Sequence, residues 1–154
     1  MELGSVLRKE RERARLSVQA MASRLKLSQE KYEALESGTS LLEQWGTVWG
    51  YMSVALKTPM SQLVSPTGKS ADVTPGQTAT LIRNSRTKRE QSPEEVAEKV
   101  GLTTDVCQAI EAGEQPQFED SGLWLLRFAE AIPMPVFNLI YPCGLLFTEI
   151  PDYS

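Results

Sequence analysis

The sequence predicts an all-α fold made of two tandem five-helix units, and three observations predict it. The chain repeats itself at an offset of 75 residues, its apolar residues recur at helical rather than alternating spacing, and Ser, Thr and Gly stand where helices should begin and end. The shortest form of the repeat is YEALESG, Tyr32 to Gly38, against CQAIEAG, Cys107 to Gly113. The same offset pairs Arg8 with Arg83, Arg11 with Arg86, Ser17 with Ser92, Ala22 with Ala97, Leu27 with Leu102, Glu36 with Glu111 and Gly38 with Gly113. Past that glycine one inserted residue moves the offset to 76, pairing Ala55 with Ala131 and Leu63 with Leu139.

Each element follows in order. Residues 3 to 14 set Leu3, Val6, Leu7 and Ala14 among charges at helical spacing. Ser17 and Ser92 are N-caps of a second helix; the later copy adds Pro93 at the first helical position and Glu95 at the capping-box site. Ser28 and Thr103 cap a third helix that ends at Gly38 or Gly113, where a left-handed residue suits glycine. A longer fourth helix is expected around 43 to 56 and 120 to 131, and short fifth helices near Pro59 and Pro135. The units therefore span 1–65 and 78–142, with a linker at 66–77 rich in Pro, Gly, Ser and Thr and a C-terminal tail at 143–154. Leu145, Leu146, Phe147 and Ile150 make that tail apolar enough to pack on its own domain or on a partner.

Composition narrows the function classes. Histidine is absent, and Cys107 and Cys143 lie far apart, so histidine-dependent catalysis and the usual zinc sites are excluded. The GKS at 68–70 is no phosphate loop, because that motif needs a glycine where Leu63 stands. The reading is of a non-enzyme with no catalytic residue, metal or cofactor. No apolar run approaches the roughly 20 residues of a membrane span, and the charged N-terminus is unlike a signal peptide, so a cytoplasmic protein is expected. Net charge is −4, unevenly divided: residues 1 to 70 hold 10 Lys and Arg against 7 Asp and Glu, and residues 71 to 154 hold 6 against 13. The first part is mildly attractive to a phosphate backbone and the second is repelled by one.

Two helices of about eight residues joined by a tight turn, behind a first helix with an LR-x-x-R pattern, form a helix-turn-helix arrangement. LGSVLRKERERARLSVQAMASRLKLSQEKYEALESG resembles the Cro/CI-type (XRE) helix-turn-helix domain of bacterial and phage regulators, which has a lambda-repressor-like fold. TATLIRNSRTKREQSPEEVAEKVGLTTDVCQAIEAG resembles a second, degenerate copy. The resemblance implies a transcriptional regulator of double-stranded DNA. It makes Arg8 with Glu36, and Arg83 with Glu111, structural ion pairs between the first and third helices. It makes Ala22 and Ala97 the small residues at a close helix crossing, and Cys107, opposite Tyr32, a small core residue. Third-helix positions that read bases become Ser28, Gln29, Glu30 and Glu33, supplemented at phosphates by Lys31, Thr39, Ser40 and Arg15. Their counterparts in a second reading head are Thr103, Thr104, Asp105 and Gln108. Gln29 and Gln108 suit adenine, whereas Glu30, Glu33 and Asp105 oppose phosphates unless they accept from cytosine. The glutamine usual after the capping serine is replaced by Val18 and Pro93, which weakens phosphate anchoring.

Two matters stay open in the sequence. The resemblance also extends to domains in membrane-linked bacterial scaffolds that grip a filament protein, with an apolar residue after the capping serine and a third helix like KYEALESG. A protein-binding module is thus the alternative to DNA reading. Trp45, Trp49, Met52 and Leu56 form an apolar stripe that either covers the core of the first unit or places a tryptophan in a homodimer or inter-copy contact.

Overall fold

The computed structural model of the chain describes residues 2–40 and 42–140, the side chains at 42–44, 137 and 140 excepted. The tail expected at 143–154, with Cys143, lies outside the described residues. The described chain is all-α. Its first half holds α1 (Leu3–Arg13), α2 (Val18–Arg24), α3 (Gln29–Ser37), α4 (Leu42–Leu56) and α5 (Met60–Val64). Its second half holds α6 (Gln77–Lys88), α7 (Pro93–Val100), α8 (Thr104–Glu111), α9 (Pro116–Ala131) and α10 (Phe137–Ile140).

Local chemistry sets these boundaries. The side chains of Ser17, Ser28, Ser92 and Thr103 each accept from a backbone N–H in the first turn of the helix they precede. At Ser92 the backbone N–H donates in return to the Glu95 carboxylate, which completes a capping box. Six of the nine left-handed residues among those described fall in three pairs: Arg15 and Glu90, Lys26 and Gly101, Gly38 and Gly113. Members of each pair are 75 positions apart, so the backbone turns at the same places that the sequence repeat marks. α9 begins at Pro116, earlier than the expected residue 120, because proline at the first position costs no helical hydrogen bond.

The fourth and fifth helices cross between halves. α4 packs on α7 and, reciprocally, α9 packs on α2; α5 packs on α6 and α10 packs on α1. α4 and α9 also lie against each other. At their crossing the Trp49 ring stacks on Phe118, centroids 4.1 Å apart and planes 5° from parallel, and Trp45 meets Phe118 edge-on at 5.5 Å. Trp49 Nε1 donates to the Phe118 carbonyl at 3.0 Å, which satisfies the one polar atom of a fully buried indole. The open question of the tryptophan stripe is answered by these contacts: Trp49 and Trp45 join the halves. One continuous core results, running from Leu7, Met21 and Tyr32 through Trp49, Met52 and Phe118 to Ile82, Val96 and Ile110.

Within the expected linker, Ser70–Asp72 forms a 3-10 turn. It is fastened to α9, where the Ser70 amide donates to Glu130 Oε2 at 2.9 Å and the Ser70 hydroxyl to Glu130 Oε1. The composition of this stretch names a linker; a carboxylate 60 residues later ties it down.

Candidate nucleic-acid interface

The helix-turn-helix of the first half is built on close approach. Gly4 of α1 is buried where an added Cβ would stand 2.5 Å from the Glu36 carbonyl oxygen and 2.7 Å from that of Leu35. Only glycine lets α1 touch the end of α3 so closely. Arg11 then locks the contact. Its Nε donates to Glu36 Oε2 at 2.6 Å, its Nη2 to Glu36 Oε1 at 3.1 Å and its Nη1 to the Leu16 carbonyl at 2.9 Å. One guanidinium therefore joins α1, the turn before α2 and the end of α3.

Of the two expected ion pairs, Arg8 with Glu36 forms and Arg83 with Glu111 does not. Arg8 does reach Glu36, at 3.3 Å, but its side chain is 55% exposed, whereas that of Arg11 is 11% exposed and bidentate. In the second half Arg86 takes Glu111 through Nε at 2.8 Å and Nη2 at 2.9 Å, and reaches the Gln91 carbonyl at 2.7 Å. Arg83 is exposed and forms no ion pair among the described residues. Arg11 and Arg86 sit one turn nearer the helix end than Arg8 and Arg83, level with both the carboxylate and the turn carbonyl. The repeat had already paired them, but their spacing alone did not say which turn of α1 faces Glu36.

Electrostatics around Glu36 favour the ionised pair. Burial alone would raise the Glu36 carboxyl, but hydrogen bonds from Arg11 and Arg8 together with the Arg11 charge hold it below the ordinary glutamate range. Its own bonds to Glu36 raise Arg11 in turn. Where the first half buries Tyr32, the second buries Cys107, whose thiol is pushed up by burial and by Glu111 and is thus a poor nucleophile.

The residues expected to read DNA lie where exposure allows it. Ser28 caps α3 by accepting from the Lys31 amide at 3.2 Å, and Gln29, Glu30, Lys31 and Glu33 are exposed along α3. Gln29 Nε2 donates to Glu33 Oε1 at 3.0 Å, so the amide and a carboxylate present themselves as one unit. Thr39 is exposed beyond the helix and bonded to the Ser37 hydroxyl at 3.2 Å; Ser40 is half-buried. Arg15 is exposed in a left-handed turn between α1 and α2. In the second half Thr103 caps α8, Asp105 and Gln108 are exposed, and Thr104 is half-buried. The α3 face can donate little and accept much: Glu30 and Glu33 outnumber Lys31, and the Gln29 donor is already engaged by Glu33.

Comparison with known families bears on this region alone. The family profile described as "Helix-turn-helix domain" matches residues 2–49, about a third of the chain, from α1 into α4. No curated protein and no solved structure matches the chain. The matched stretch defines the class of this region as a helix-turn-helix domain of the kind found in DNA-binding regulators. Among the described residues no helix is long and apolar enough to cross a membrane.

Proposed function

We propose that the protein is a sequence-specific DNA-binding regulator of the Cro/CI type whose first helix-turn-helix reads the major groove through α3. In this reading the chain carries two copies of one domain, at 1–65 and 78–142, joined by 66–77, and the second copy serves assembly or acts as a weaker head. One observation carries it: the exposed face of Gln29, Glu30 and Glu33 lies on the helix that follows the turn, inside the stretch that matches a helix-turn-helix family. Gln29 reads adenine once it leaves Glu33, or Glu33 accepts from cytosine N4 while Gln29 holds it in place. Lys31, Arg15 and Thr39 contact phosphates on either side. The second head comes from α8 or from another chain; Asp105 and the exposed Glu90, Glu94, Glu95 and Glu98 favour another chain.

The acidic α3 face also supports a second reading, a module that grips a basic protein partner with the same surface. Selection from a pool of randomised duplexes at low and moderate salt separates the two. The DNA reading expects an enriched motif, affinity that falls as salt rises, and a changed motif for Gln29→Ala or Glu33→Lys. No retention at low salt, or a motif indifferent to both substitutions, sinks the assignment of α3 and leaves the protein-partner reading.

A further inference from the structure

Three helices end together at the junction of the two halves. α4 ends at Leu56 and is followed by Lys57 in a left-handed turn, α6 ends in Lys88 with Arg89 as its cap, and the last turn of α7 carries Lys99. These four exposed cations, with Ala55 and Gln91, line one cleft of about 350 Å³ that has no carboxylate among its lining residues. Its walls are fixed across the junction: Arg89 Nη2 donates to the Lys57 carbonyl at 2.9 Å and Gln91 Nε2 to the Ala55 carbonyl at 3.1 Å.

Part of this charge has a local use. A helix C-terminus carries roughly half a negative charge, so three of them offset about one and a half of the four positive charges. The remainder has no partner in the cleft. Residues 71 to 154 contain 6 basic residues against 13 acidic ones, yet three of those six gather here. The corresponding cleft at the other crossing, where α2 meets α9, is lined by Arg24, Lys26 and Arg127 but does hold one carboxylate, Glu130. Its Arg24 and Arg127 donate to the carbonyls of Ala131 and Leu25 at 3.2 and 3.4 Å.

We propose that the cleft of Lys57, Lys88, Arg89 and Lys99 binds an anion carrying at least two phosphate groups. Tetrahedral phosphate oxygens accept from lysines approaching along several directions, and the Arg89 fork adds directional bonds. The volume is at the lower end for small-ligand sites. Bound anion clamps the end of α4 to α6 and α7, and so holds the two halves together. The site is independent of any role of α3 in reading DNA.

Titration calorimetry and thermal melting of the full chain with inorganic tripolyphosphate at low salt test the site. Saturable one-to-one binding with a raised Tm is expected. Lys88→Gln with Lys99→Gln should weaken binding at least tenfold while the far-UV circular dichroism is unchanged. Lys9→Gln with Lys69→Gln, the same charge removed elsewhere, should leave it within twofold. Absence of saturable binding, or equal weakening by both pairs, overturns the proposal. Competition with random-sequence duplex then separates two sources of the same chemistry: displacement assigns the phosphates to a nucleic-acid backbone, and persistence assigns them to a free anion, either result supporting the cleft.

Discussion

Replacing Gly122 by alanine tests whether the halves share one core. A methyl group there would stand 2.5 Å from Trp49 Cζ2, 2.8 Å from Cε2 and 3.1 Å from Val64 Cγ2. Carbon atoms pack at about 3.5–4.0 Å, so something must move by about 1 Å. Trp49 has little freedom to do so, being fully buried, stacked on Phe118 and held by its N–H. Overpacking of this kind costs about 1–3 kcal/mol, and loss of the indole hydrogen bond adds about 1 kcal/mol. Alanine returns about 1 kcal/mol of helix propensity over glycine. The net loss expected for Gly122→Ala is about 2 kcal/mol, a large part of the roughly 5–15 kcal/mol that holds a domain folded. Trp49→Phe removes the indole atoms that the methyl meets, so the double variant should be at least about 1 kcal/mol more stable than the two single losses sum to. Urea unfolding followed by far-UV circular dichroism measures all four proteins without relying on tryptophan emission. A Gly122→Ala variant within about 0.5 kcal/mol of the parent, or strict additivity with Trp49→Phe, would refute the shared core.

Other outcomes follow from the same geometry. Lys26 holds the left-handed turn that Gly101 holds 75 residues later; relief of about 1–2 kcal/mol of strain against about 0.5–1 kcal/mol of added chain entropy makes Lys26→Gly stabilising by up to about 1.5 kcal/mol, read from the urea midpoint. Arg11→Ala leaves Glu36 buried with only the mostly exposed Arg8 as a partner and should cost about 3 kcal/mol, whereas Arg8→Ala should cost under about 1 kcal/mol in the same assay. Because Glu36 is held below its ordinary value of about 4.5 in the folded chain, the unfolded chain takes up the proton first. That contribution is complete above the ordinary value and is lost as pH falls through the folded one, so the parent should lose stability on acidification and Glu36→Gln should flatten that part of the profile.

What the sequence made legible was local. Ser17, Ser28, Ser92 and Thr103 cap helices through amides three residues away, and Gly38 and Gly113 take backbone angles that glycine alone adopts freely. The α3 residues were placed by the resemblance to a helix-turn-helix domain, and the cap at Ser28 agrees with where that resemblance starts the helix. Arg11 was harder, because Arg8 and Arg11 share one face of α1 and only the position of the Leu16 carbonyl decides between them. The partner of Trp49 was harder still. An apolar stripe states that a helix is covered, and nothing in residues 45 to 56 says whether the cover is the preceding helices or α9. The cationic cleft draws on Lys57, Lys88 and Lys99, whose proximity exists only once α4 has crossed to the second half.

That crossing changes what two reading heads would mean. Two domains on a free tether gain affinity through effective concentration and accept several half-site spacings, since the tether absorbs the difference. Here α4 rests on α7, α9 rests on α2, and the connection itself is fastened at Ser70 to Glu130. The placement of α3 relative to α8 is therefore set by the core around Trp49 and Phe118 rather than by residues 66–77. If both helices read DNA, the selected motifs must share one spacing, a whole number of helical turns of roughly 34–36 Å each. If α3 reads alone, the motif is a single half-site or the palindrome of two chains, and α8 is left as a packed copy whose acidic surface keeps it away from the duplex.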